Sequence, residues 1–283
     1  MRNKAIELLV GAYDLHVHTF PSHIKRKMND FELLKEANRY EMAGIMIKNH
    51  YESTAGRASL VNEYFKFSTK AYGGIVLNST VGGINPFAVE SSMKLGARFV
   101  WLPTRDAYHC LKFGNMKGDF FNREGISLLK KSDDKKLIDS FYDVLEVIKK
   151  YDGVLATGHI SMEEARLVCK ESTLKGVKTV LTHPDWNRTM YSLKQQKEFS
   201  QMGVKIEKVW ANVEDGDCEV NFFLDSIRKI GVKNIFLTTD RGQYDKKNPV
   251  ESYLDFIELL LKNGFSSQEI KEMTKKIPEE LIN

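Results

Sequence analysis

At 283 residues the chain is longer than one ordinary domain but of usual size for an α/β barrel, and its 42% apolar and 28% charged residues fit a globular protein rather than a disordered or fibrous one. A net charge of +4, from 42 basic and 38 acidic residues, is spread along helical faces with only short runs such as Lys25-Arg26-Lys27 and Lys246-Lys247, which argues against a dedicated nucleic-acid surface. Cys110, Cys169 and Cys218 form no CxxC pair and are odd in number, so neither a disulfide framework nor a zinc knuckle is expected.

Residues 1–10 carry Arg2, Lys4 and Glu7 around a short apolar stretch and read as a first helix rather than a signal peptide. No apolar run approaches the roughly 20 residues that a transmembrane helix needs. The expectation is a cytoplasmic protein with a small-molecule substrate, no nucleic-acid or membrane partner, and room for a homo-oligomer.

From there, runs rich in apolar and β-branched residues alternate with polar loops and helical periodicity. The strands are expected at residues 12–18, 44–49, 73–79, 97–103, 153–159, 177–183, 205–213 and 233–240. Amphipathic helices at 30–42, 161–175, 191–202 and 219–230 lie between them, with capping residues Asn29 and Ser161 and closing glycines Gly44, Gly176, Gly203 and Gly231. Eight βα units without a GxGxxG turn predict a closed (β/α)8 TIM barrel, one domain over 1–283, rather than an open doubly wound sheet.

The interval 104–152 is long. Its second half, 134–150, reads as the expected helix, and the first half is an insertion after strand four whose His109, Phe113, Phe120 and Phe121 are either a lid over the site or a structural excursion. Residues 249–283 hold two helical patterns separated by Asn263-Gly264, which complete the barrel and add an extra C-terminal helix.

The chemistry gathers at strand ends. His16, His18, His50, His159 and His183, five of the seven histidines, end predicted strands, as does Asp240. In a parallel barrel those ends surround one cavity, so the residues converge although far apart in sequence. In Asp14-Leu15-His16-Val17-His18 the two imidazoles, two apart on a strand, point to the same face and make half a metal site. His159 follows Gly158, which lets a bulky ligand approach. Asp240 ends an apolar strand, where a carboxylate needs a cation or donor to offset its desolvation. His183 is a further ligand or a general acid/base, and Asp185 either orients it or caps the next turn. Lys48 and His50, two apart on strand two, should both face the cavity. Lys48 is open to three readings: a carboxylated bridge, an ammonium for a substrate carboxylate, or a partner of Asp240 or Glu214.

This set, HxH on strand one, His on strands five and six and Asp on strand eight, resembles the amidohydrolase superfamily over about residues 12–283. The ending Thr239-Asp240-Arg241-Gly242-Gln243, with Asn263-Gly264-Phe265-Ser266 and Ile277-Pro278-Glu279-Glu280-Leu281, is similar to the closing segments of those enzymes. The resemblance implies that His16, His18, His159 and Asp240 bind metal, with His183 as second-metal ligand or proton-transfer group. Strand four departs from the binuclear pattern, ending in Val100-Trp101-Leu102-Pro103-Thr104 without a bridging Lys or Glu.

The function implied is a hydrolase dependent on a divalent metal, Zn2+ first and Mn2+, Fe2+ or Ni2+ otherwise, with one or two ions. Its metal-acidified water attacks an sp2 carbon in a C–N or C–O bond, Asp240 takes the proton, and His183 or Lys48 steadies the oxyanion. A single-metal decarboxylase with Lys48, Arg105 and Arg241 as carboxylate clamps is the alternative. Phosphoesterase chemistry is disfavoured by Asn78-Ser79-Thr80 where carboxylates are usual, and a non-catalytic metal-binding barrel is the remaining reading. Asn212, Glu214, Thr182, Asn187 and Arg188 end strands or begin loops, and Trp101, Trp186 and Trp210 are expected in the barrel mouth or core.

Overall fold

Helices form where apolar residues recur at three and four behind a capping side chain. Asn29 accepts a bond from Glu32 N–H ahead of helix Asp30–Arg39, which buries Leu33, Leu34 and Ala37, and Ser161 and Ser192 build the same capping box ahead of Met162–Leu174 and Leu193–Gln201. Helix Asp139–Lys150 buries Phe141, Val144, Leu145 and Ile148, a stripe at helical spacing.

The computed structural model describes residues 1–120 and 123–283. Its strands are β1 (Tyr13–Val17), β2 (Gly44–Ile47), β3 (Lys70–Val76), β4 (Ala97–Trp101), β5 (Leu129–Lys130), β6 (Asp133–Leu137), β7 (Val154–Ala156), β8 (Lys178–Leu181), β9 (Lys205–Val209) and β10 (Ile235–Thr238). Eight of them pair in the order β1-β2-β3-β4-β7-β8-β9-β10, parallel throughout, while β5 and β6 form a separate antiparallel hairpin. The ends of the sheet meet: Asp240 N–H donates to His16 C=O at 2.9 Å and His18 N–H to Arg241 C=O at 2.8 Å, and the Tyr253 hydroxyl, from the helix outside, reaches both Tyr13 C=O at 2.9 Å and Leu237 C=O at 3.2 Å. The expected (β/α)8 barrel is the one observed.

Alternation along the strands fills it. Tyr13, Leu15, Met46, Val76, Phe99, Trp101, Val154, Ala156, Val180 and Phe236 make the inner cluster, and Ile277, Leu281 and Ile282 of the last helix join it. Each such side chain removed from water contributes about 2 kcal/mol. The opposite faces of the same strands (Ile45, Ile75, Val100, Leu155, Leu181, Ile206, Leu237) pack outward against the helices. In β1 the pairing with β2 shifts between Asp14 and Val17, and this irregularity lets Leu15 and His16 both face the barrel interior.

Two boundaries differ from the sequence reading. Residues 134–150 are not one helix, because Asp133–Leu137 is strand and the helix begins at Asp139. The run Asp133-Asp134-Lys135-Lys136 offers no apolar side chain at helical spacing to bury, so it pairs with Leu129–Lys130 at the surface instead. Strand seven stops at Val209, and Trp210–Glu214, expected as its end, is a short helix. Helix Arg2–Leu9 is present and pairs with helix Pro249–Lys262 through Arg2 and Asp255, 2.8 Å apart. No helix among the described residues is long and apolar enough to cross a membrane.

Candidate metal centre

Each site residue sits at the end of an inward-facing strand or in the first residues beyond it. Two of these turns need glycine. Gly158 lies at φ +62° with its Cβ direction blocked by the Leu102 carbonyl, so it carries β7 into His159 against β4. At Gly242, φ +131°, the direction is blocked by the His18 carbonyl, so the chain after Asp240 passes directly under the end of β1. His183 and Asp240 themselves adopt φ +52° and +50°, a left-handed conformation that costs about 1 kcal/mol or more for a residue with a side chain.

The carboxylate of Asp240 is the focus. His16 Nε2 lies 3.1 Å and His18 Nε2 2.9 Å from its Oδ1, and His183 Nε2 lies 3.5 Å from Oδ2. His16, His183 and Asp240 each offer one ligand atom, all within 4.8 Å of one another. The other ring nitrogens fix the tautomers: His16 Nδ1–H donates to the Glu207 carboxylate at 2.8 Å and His18 Nδ1–H to the Lys48 carbonyl at 2.8 Å, acceptors that can only accept. Neutral His18 therefore turns a lone pair on a carboxylate oxygen at 2.9 Å, an acceptor facing an acceptor. A ring proton would relieve this, but burial holds His18 well below the usual histidine range. A cation between the two atoms relieves it directly, and this is the observation that makes the donor set fit a divalent metal.

Charge is concentrated in the same place. Burial opposes ionisation of Asp240, yet His16 and His183 outweigh it and hold the carboxyl well below its ordinary range. His16 is pushed down by burial and Lys48, but Asp240 and Glu207 win and raise it. Burial lowers His183 to about 4 and His159 and His50 well below 6.5, so these rings are neutral donors of a lone pair near pH 7. Buried His159 Nε2 and His183 Nδ1 have no hydrogen-bond partner among the described residues. The His159 ring centroid stands 5.2 Å from that of His183, and His50 stacks on His18 at 4.9 Å while its Nδ1 bonds to Thr104 Oγ1 at 2.9 Å.

All six expected metal-site residues thus reach the mouth of the barrel, His16, His18 and His183 in contact with Asp240, and His159 and His50 one ring further out. Lys48 does not pair with Glu214, which binds Arg241 instead. Its Nζ lies 2.9 Å from His16 Nε2, deep beside the Trp101 ring, and burial lowers the ammonium to about 8. A cation at His16 Nε2 would compete with Lys48 for that atom.

Other expectations are corrected. Asp185 does not orient His183: its carboxylate faces outward and binds Lys208 Nζ at 2.8 and 3.0 Å and Gln196 Nε2 at 2.9 Å. Arg241 is no clamp, because Asp215 and Glu214 hold its guanidinium. The tryptophans lie as expected: Trp186 packs on His159 and His183 at the mouth, Trp101 in the barrel, and Trp210 against the outer core on Phe256. Within the insertion, His109 bonds the Arg188 carbonyl, Phe113 meets His109, and Phe120 meets His23 and Tyr51. Met116, with Arg105 at the start of the insertion, lines the cavity. Phe121 lies outside the described residues.

Three participants escape the strand-end rule. Glu207 sits inside β9, where its inward alternation with Val209 was the available signal; besides His16 it accepts from Thr238 Oγ1 at 2.9 Å and His183 N–H at 3.2 Å. Asp14, whose carboxyl burial raises to about 7, accepts from Thr239 Oγ1 at 2.5 Å and N–H at 3.1 Å and so ties β1 to the chain entering Asp240. Arg26, from the run Lys25-Arg26-Lys27, is buried and lines the cavity of about 190 Å3 together with Arg105, Asn212 and the histidines.

A model of the family described as "Family of unknown function (DUF6282)" matches residues 11–207. The chain belongs to DUF6282. The DUF6282 match takes in every histidine of the site, Lys48 and Glu207, and leaves Asp240 beyond its end. Among curated proteins nothing matches. Solved structures similar to this DUF6282 chain include an amidohydrolase from Pseudomonas aeruginosa (12% identity, TM-score 0.67, 99% of this chain and 98% of that one) and an organophosphorus hydrolase from Deinococcus radiodurans (12%, 0.61, 99% and 94%). A 2,6-dihydroxybenzoate decarboxylase from Rhizobium is also similar (10%, 0.55, 96% and 98%). At such identities the likeness establishes the shared barrel, the one expected from the amidohydrolase-superfamily resemblance, and leaves the reaction open.

Proposed function

We propose that this barrel is a metal-dependent hydrolase whose activated water attacks an sp2 carbon, in a C–N or C–O bond, of a small molecule. The observation that carries the reading is the lone pair of neutral His18 aimed at the Asp240 carboxylate, with His16 and His183 around the same two oxygens. His16, His18, His183 and Asp240 would hold the ion, zinc by the mixed nitrogen and oxygen set, with the unpartnered Nε2 of His159 beside them. Lys48 and His50 are the residues that a second ion would use. A bound divalent ion supplies Lewis acidity and lowers the pKa of water to about 7.

The remaining work falls to this chain. Asp240, ionised across the neutral range, accepts the proton of the attacking water. Glu207 fixes the His16 ring and keeps its Nε2 facing the site. Lys48, close to the His16 ring, would steady the oxyanion of the addition step; His183 would do so only in the reading in which it is not a ligand of the ion. Trp186 and Met116 line the mouth of the cavity and give it apolar wall beside the histidines.

The test is turnover by the full chain on a panel of amides, lactones, cyclic imides and amidines, zinc-loaded and after chelation. Chelation should lower turnover at least about 100-fold, and added zinc should restore it. Turnover that survives chelation unchanged would contradict the proposal. Decarboxylation keeps one supporting observation, the cavity position of Arg105; carbon dioxide release from aromatic carboxylates without hydrolysis would favour it.

A further inference from the structure

Arg26 is 8% exposed, and its guanidinium has no carboxylate within ion-pair distance among the described residues; Nε reaches only the Ser22 hydroxyl, at 3.5 Å. Other buried cations among the described residues do have carboxylate partners, Lys48 at the foot of the site excepted, whose Nζ meets His16 Nε2. Lys208 has Asp185, Arg241 has Asp215 and Glu214, and Arg123 has Asp106 and Asp119. The Arg26 guanidinium faces the cavity without a carboxylate in ion-pair contact, so an anion entering the cavity would supply the missing partner.

The position is built rather than accidental. Arg26 forms a bridge with Gln243, and Lys27 N–H donates to Gly242 C=O at 2.9 Å, so the loop after β1 is stitched to the loop after β10 beside Asp240. The side chain thereby lines the cavity that Asp240, His159 and His183 also line. Arg105 lines it too, its Nη1 held by Asp119 at 3.0 Å and the Lys117 carbonyl at 2.7 Å, and its buried Nε without a partner. Two guanidiniums thus converge on one small cavity, each with donors to spare. The charge of Asp240 acts on Arg26 across the cavity, but no ion pair forms, because its oxygens lie against His16, His18 and His183.

We propose that the substrate is an organic anion whose oxyanion group, carboxylate or phosphate, is bound by Arg26 with Arg105 beside it, while its reacting carbon lies over Asp240. This rests on the hydrolase reading for the reacting carbon alone; the anion site stands on the arginines. Planar guanidinium forks match such groups through paired hydrogen bonds, which a lysine cannot reproduce. Burial, which lowers Arg26 to about 10, still leaves it cationic at neutral pH. The long stem also explains how residue 26, in a run that reads as a solvated basic segment, reaches the interior.

The experiment is calorimetric titration of the zinc-loaded full chain at neutral pH with glutarate, phenylphosphonate and the uncharged control glutaramide, on wild type, Arg26→Met and Arg26→Lys. Wild type should bind at least one anion, and Arg26→Met should weaken it tenfold or more, with metal content and glutaramide binding unchanged. Arg26→Lys, which keeps charge and fold without the fork, should fall between. Glutarate bound more tightly than phenylphosphonate assigns a carboxylate, and the reverse order a phosphate. Equal anion affinity in wild type and both variants, or no anion binding to wild type up to about 10 mM, overturns the proposal. Should wild type hold no metal while anion binding still depends on Arg26, the anion site stands and the hydrolase reading fails.

Discussion

Replacing Asp240 with asparagine is expected to lower turnover about 1000-fold or more while leaving the fold intact. Asparagine is nearly isosteric and tolerates the left-handed backbone at this position as well as aspartate does, so the φ of +50° is no obstacle. What it loses is chemical. The amide cannot take a proton from water, and it presents no negative charge to the three imidazoles whose Nε2 atoms lie within 3.5 Å of the carboxylate. Burial of the site makes that loss larger than it would be at a surface. The measurement is kcat together with the thermal midpoint of each protein. A rate within about threefold of wild type would show that Asp240 is neither the base nor essential to the ion.

The second large effect is on stability, and it lies on the outer side of the barrel wall. Lys208 and Asp185 are both wholly buried between β9 and its covering helices, and Lys208 donates to Asp185, to Gln196 at 2.8 Å and to Ser226 at 2.6 Å. Burial lowers the Lys208 ammonium against the pull of Asp185, but the full set of partners keeps it paired. Removing one partner leaves a buried uncompensated charge, so Lys208→Met is expected to cost about 3–5 kcal/mol and to lower the thermal midpoint by about 10 °C. The double variant Lys208→Met/Asp185→Leu should recover most of the loss, because both charges are gone. Asp185 also anchors the loop that carries His183, and the single variant should therefore bind metal more weakly even where it folds. Equal stability of single variant and wild type would show that the network is incidental.

The site was legible to the extent that strand ends are legible. A barrel brings every C-terminal strand end to one mouth, so a polar residue that breaks an apolar run marks itself, as His16, His18, His159, His183 and Asp240 do. Glu207 failed that test. It lies inside a strand between Lys205 and Lys208, and alternating charges of this kind read as a surface strand until the sheet closes and one face becomes the cavity. Arg26 failed for a different reason: a loop has no periodicity, and its course is set by backbone bonds to Gly242 that the sequence does not encode locally. Asp185, two residues after His183, looked like its partner. Period-two alternation would put Asp185 on the same side as His183, but the strand ends at Leu181 and the left-handed turn at His183 sends Asp185 outward, toward a lysine 23 residues away.

The same limits explain why the sequence places the start of helix Asp139–Lys150 too early. In 134–150 the apolar stripe begins only at Leu137, and the charged residues before it had no face to bury. Boundaries follow from what packs, and packing is a property of the finished barrel.

The most direct test is the metal content of the protein purified without added metal, wild type beside His16→Ala. The account predicts about one divalent ion per chain in the wild type, most of it lost in His16→Ala, since the variant removes both the Nε2 ligand and the ring that Glu207 positions. A wild-type protein that holds no metal, even after reconstitution with zinc, would contradict it.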